Sequence, residues 1–212
     1  MSHIDPKVLE AAKTRITADA AEEGSLVLGG SRHMRVASMI SMVIADAKQQ
    51  KEIQLRDVVA AIYVANFERI LRFWPNAAVF EDFIAEHCGW SEHRLTTWDR
   101  WTYNTNHPPR TVTIPFSRRF FQTPRKHTIH GKTFKESEDL KHVISTAAKL
   151  TPNKVESFGR ALPLITPELF LFATTRTEDV ELSGKLANSG LRLDLLEEAA
   201  LERLESPEKL RF

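Results

Sequence analysis

Three successive stretches of this chain carry apolar residues at three- and four-residue spacing, and that periodicity restricts most of its first half to helices. Val36, Met39, Ile40, Val43, Ile44 and Ala47 form one stripe, over about Arg32 to Gln50. A second runs from Leu55 to Phe73 through Val58, Val59, Ile62, Tyr63, Phe67, Ile70 and Leu71, and Pro75 stops it. The third, Val79, Phe80, Phe83 and Ile84, follows Asn76, a residue type that caps helices. A helix returns such positions to one face every turn, so each stripe needs a partner to cover it. An earlier helix is expected from Asp5-Pro6 to about Glu23, followed by a loop around Gly24, Gly29 and Gly30. The polar run from Lys48 to Glu52 should end the helix before it.

The pattern changes at His107-Pro-Pro109. The stretches RTVTIPF and RRFFQTPRKHTIHGKTF alternate β-branched, aromatic and basic residues, with Thr123-Pro124 and His130-Gly131 as turns. This predicts two or three short extended segments, with a hairpin among them. Helical periodicity returns from Glu136. Thr151-Pro152 and Thr166-Pro167 each predict a capped helix start with proline at the first position. A last helix is expected over Gly190 to Leu204, with Leu193, Leu196, Ala200 and Leu204 on one stripe. No internal repeat or low-complexity tract interrupts the chain.

Between the third stripe and the proline break lies FEDFIAEHCGWSEHRLTTWDRWTY, Phe80 to Tyr103. It predicts two short helices hinged at Gly89, with Ala85 at their close crossing, Cys88 before the turn, and Leu95 and Trp98 packed back on the first helix. This stretch resembles the helix-turn-helix motif of DNA-binding proteins, whose second helix enters the major groove. The resemblance implies that His93, Thr96, Thr97 and Arg100 read bases. Arginine pairs with guanine bidentately and threonine with either base type, its methyl against thymine. Trp90 is bulkier than the residue usual after the glycine, and Glu92 would repel phosphates.

Charge adds a second signal. The net charge is +1 over 212 residues. Residues 105–135, however, hold 7 Lys/Arg and no Asp/Glu, whereas residues 1–104 hold 12 against 14 and residues 136–212 hold 10 against 14. A local basic block serves phosphate contact even in a near-neutral chain. In winged helix-turn-helix proteins a hairpin after the recognition helix lies along the phosphate backbone. The resemblance therefore implies phosphate contacts by Arg110, Arg118, Arg119, Arg125, Lys126 and Lys132.

Other chemistry has thinner support. His127-x-x-His130 has zinc-ligand spacing, with His87, Cys88, His93 and His107 as further candidates, but there is one cysteine and no HExxH. Leu26-Val-Leu-Gly-Gly-Ser-Arg32 resembles a strand–glycine–helix anion site, with Arg32 and Arg35 nearby, yet it lacks the Walker lysine. Cys88 beside His87 or His93 would be a nucleophile only if the side chains converged, and neighbours on a helix point apart. Met34, Met39 and Met42, like Phe67, Phe73, Trp74 and Phe80, are expected in the core. The N-terminus carries acidic residues and no long apolar segment, so no secretory signal is expected. The longest apolar run, Val58 to Ala65, is far short of the ~20 residues of a membrane span.

The expectation is a mainly α fold with a helix-turn-helix, a small central wing-like β-hairpin, and C-terminal helices. Its regions would be 1–75, helical; 76–135, helix-turn-helix and basic hairpin; and 136–212, helices that pack or dimerise. The expected function is sequence-specific binding of double-stranded DNA by a cytoplasmic regulator without catalysis, cofactor or metal, as a homodimer through the C-terminal helices. A helical adaptor whose basic hairpin meets an acidic protein is the alternative, and an enzyme of unrecognised type is the third.

Overall fold

A computed structural model describes residues 31–65, 67–88, 127–129, 132–157, 160–178 and 180–205. Helices dominate these residues, and two small sheets accompany them. The helices are α1 (Arg32–Ala47), α2 (Leu55–Ala65), α3 (Phe67–Leu71), α4 (Ala77–His87), α5 (Glu138–Leu150), α6 (Pro167–Arg176), α7 (Glu181–Ala187) and α8 (Leu193–Leu201). The strands are β1 (Glu52–Ile53), β2 (His127–Ile129), β3 (Lys132–Glu136), β4 (Lys154–Ser157) and β5 (Arg160–Pro163).

Local chemistry sets most helix boundaries. The Ser31 hydroxyl accepts from the Met34 amide at 3.3 Å and opens α1. Its end is a glycine-free Schellman turn, in which Gln49 takes a φ of 55° and the Gln50 amide reaches back to the Ala45 carbonyl at 2.9 Å. Asn76 caps α4 by accepting from the Val79 amide at 3.1 Å. Ser137 caps α5, where Glu138 and Asp139 complement the positive end of the helix. Thr166 caps α6, with Pro167 at the first position as the sequence predicts.

The stripes converge on one core. Ile40, Ile44, Val59, Ile62, Ile70, Phe80, Ile84, Phe134, Val143, Phe170 and Leu196 all belong to it, so every predicted region contributes. α1 packs along α2, and α6 packs against both α5 and α8. Because α2 and α6 lie inside this arrangement they are buried almost all round: Val58 to Tyr63 and Pro167 to Thr174 are shielded from solvent without a break. Met34, Met42, Phe73, Trp74 and Phe80 are core residues as expected. Trp74 stacks on Phe80 with ring centroids 3.8 Å apart, and its indole N–H donates to the Ser189 hydroxyl at 3.0 Å. Beside it, Gly190 turns with a φ of +78°, and a Cβ there would meet Val79 and Pro75. The Arg192 amide then bonds the Phe73 carbonyl at 2.8 Å, which docks the approach to α8 on the turn after α3.

The predicted central hairpin is present in part, as β2 antiparallel to β3 with His127 opposite Phe134 and Ile129 opposite Lys132. β1 extends it in parallel on the other side of β3, giving the order β1-β3-β2. Four expectations are corrected. The helix drawn from Leu55 to Phe73 is two helices, α2 and α3, followed by a turn in which the Phe73 and Trp74 amides reach Ile70 and Leu71. Thr151-Pro152 does not start a helix. The Thr151 amide closes the last turn of α5 on Ala147, and its hydroxyl donates to the Leu164 carbonyl and accepts from the Asn153 amide. A second hairpin, β4–β5, with Val155 opposite Leu162, occupies the stretch read as helical. The last helix starts at Leu193, because Gly190 is spent on the turn before it.

Candidate nucleic-acid interface

The positions expected to read bases, His93, Thr96, Thr97 and Arg100, lie outside the described residues, as do Arg110, Arg118, Arg119, Arg125 and Lys126. So does the glycine loop before Ser31. Lys132 is described as a strand position only, in register with Ile129. Phe134 of the same strand is buried, and Lys135 is exposed, opposite Glu52 of β1. What the structure describes, then, is the two ends from which the helix–glycine–helix and basic stretch depart: α4 on one side and the β2–β3 hairpin on the other.

The α4 end is built around a buried ion pair. Phe80, Phe83, Ile84 and Cys88 face the core, and Ala85 is exposed, so the residue expected at a close helix crossing does not face the core. Asp57 is fully buried in the first turn of α2. One of its oxygens accepts from the Lys48 ammonium at 2.5 Å. The other accepts from the Gln54 amide at 3.0 Å and, with the Gln50 amide group turned to satisfy both its ends, from Gln50 at 2.8 Å. The Asp57–Gln54 bond is the side-chain half of a capping box, since Gln54 is the cap residue and Asp57 stands three positions on. Lys48 also donates to the Cys88 carbonyl at 3.2 Å, at the last turn of α4. The charges suit their places. The ammonium meets the carbonyl end of α4, and the carboxylate meets the amide end of α2.

Cys88 itself is buried, and desolvation pushes its thiol from the ordinary 9.0 up to about 12, against the opposing field of Lys48. A thiol held protonated in this way is not an activated nucleophile. His87 faces the Phe83 ring, edge to face at 5.1 Å. Tyr63 ties α2 to the outer side of α4 by donating to Glu81 at 2.7 Å.

The hairpin end is held by β1. The Lys135 amide donates to the Lys51 carbonyl at 3.2 Å and the Ser137 amide to the Ile53 carbonyl at 3.0 Å. Phe134 fills the core beneath. Both ends thus lean on the same segment, Lys48 to Asp57, which no motif in the sequence singled out. The one available signal was an aspartate directly before the unbroken apolar run Val58 to Ala65. Among the described residues no group of three or more histidine, cysteine or carboxylate side chains is placed to hold a metal ion. None of the described helices is long and apolar enough to cross a membrane. Compared with protein-family models, curated proteins and solved structures, the chain matches none.

Proposed function

We propose that this chain binds double-stranded DNA, with the helix–glycine–helix stretch reading bases and the basic block holding phosphates. The observation that carries the proposal is the block itself: 7 Lys/Arg and no Asp/Glu over residues 105–135, directly behind a stretch with helix-turn-helix spacing. Phosphate neutralisation of this kind supplies the sequence-independent part of affinity, and base contacts add the discrimination. Two features of the fold support it. The helix that would come first in the motif is fixed at its end by Lys48, and the hairpin that closes the basic block is seated in a sheet on Phe134. The phosphate-facing set is Arg110, Arg118, Arg119, Arg125, Lys126 and Lys132. Dimerisation through the C-terminal stripe finds less support, because Leu196 and Ala200 are already buried in the chain's own core.

Salt titration of binding to random-sequence duplex tests the proposal. The parent should lose affinity steeply with salt, and Arg118→Ala/Arg119→Ala should lower the slope of log K against log salt by about 2, one for each phosphate contact removed. A parent chain that ignores duplex DNA while retaining an acidic protein partner would support an adaptor role instead.

A further inference from the structure

We infer that Lys48 and Asp57 are positioning residues for DNA recognition: the buried pair fixes the point at which the chain leaves α4 for its base-reading stretch. This rests on the DNA-binding proposal above. Three observations combine. Lys48 bonds a main-chain carbonyl at the end of α4, at Cys88, and not merely a side chain elsewhere in the core. Asp57 is wholly buried and has both oxygens occupied, by Lys48, Gln54 and Gln50, so the ammonium is held rather than free to swing. The same Lys48–Asp57 segment carries β1, which seats β3 at the other end of the basic stretch. Small errors of placement at the point where the chain leaves α4 would weaken base contacts more than phosphate contacts, since phosphates are met at many positions along a duplex. Burying two opposite charges has no general advantage in stability over apolar packing, which leaves room for a role in specifying geometry.

The test uses the full chain and three variants that each cut or weaken the tie to Cys88: K48Q, D57N and K48M/D57L, the last replacing the pair by apolar groups without an orphaned charge. The probes are random-sequence duplex and a duplex selected by the parent chain from a random pool, measured well below each variant's unfolding temperature. The expected result is an unchanged salt slope on random duplex with a selectivity ratio reduced about tenfold, roughly the discrimination carried by one base pair. A merely structural pair would lower the unfolding temperature and leave the ratio of the folded chain intact, which would overturn the inference while the DNA-binding proposal stood. If none of the three folds, the pair holds the fold and not the junction, and the inference is likewise overturned. A parent that binds no duplex at all removes both proposals together.

Discussion

Asp57 and Glu168 are both buried in the first turn of a buried helix, and they are satisfied very differently. Asp57 has three donors, and its cation is itself nearly buried, with 10 % of the Lys48 side chain exposed. Glu168 pairs through one oxygen with Arg69, whose side chain is 41 % exposed, and its second oxygen is buried with no hydrogen-bond partner among the described residues. The helix amide end helps both. The difference teaches where this fold is over-determined and where it has slack. The Asp57 network joins three helix ends through groups that can barely reach water. The Glu168 pair joins α3 to α6 through a cation that water already solvates.

Removing each cation is the harshest way to break that contrast. Lys48→Ala should cost about 3–5 kcal/mol, because it leaves a carboxylate buried and uncompensated. Arg69→Ala should cost less, about 1–3 kcal/mol, since solvent reaches the position vacated. Equal losses in denaturant unfolding would show the two sites to be equivalent. Neutralising the acids comes next. Asp57→Asn should lose about 2–3 kcal/mol, as it weakens three bonds made to a charge, whereas Glu168→Gln should stay within about 1 kcal/mol because only one such bond, to a cation that water already reaches, is weakened. A Glu168→Gln variant less stable than Asp57→Asn would reverse the ranking.

The last effect appears only in alkali and marks the Asp57 side alone. The Cys88 thiol is raised in the folded chain, so the unfolded chain ionises first, and stability is full below about pH 9 and falls as pH rises toward 12. At pH 10 the loss should be about 1.4 kcal/mol, and Cys88→Ala should remove that pH-dependent part. An alkaline slope identical in parent and variant would show that Cys88 is not shielded as described.

The helical stripes were legible because helix periodicity is a local property: Val58 to Leu71 or Val79 to Ile84 announce themselves wherever they fold. The caps at Asn76 and Thr166 were legible for the same reason. Thr151-Pro152 carries the same two-residue signature as Thr166-Pro167, and its hydroxyl is claimed instead by Leu164 across the β4–β5 hairpin, a contact that local spacing does not encode. β4 and β5 are four residues each and mix charged with apolar positions, which leaves little alternation to read. β1 has two residues and exists because β3 lies beside it. Of the interface, the basic block was visible as composition. Lys48 and Asp57 were not, since an ordinary lysine and aspartate become a buried clasp only when α1, α2 and α4 meet.

Trp74 gives these distinctions an optical handle. Of the four tryptophans, it alone is in the described core, against Phe80 and Ser189; Trp90, Trp98 and Trp101 all fall in the stretch proposed to read DNA. Replacing those three by phenylalanine leaves one tryptophan that reports whether the α8 approach is docked on the turn after α3. The reciprocal Trp74→Phe chain would keep tryptophans only in the proposed reading stretch, so unfolding and duplex binding could be followed in separate variants by the same intrinsic signal.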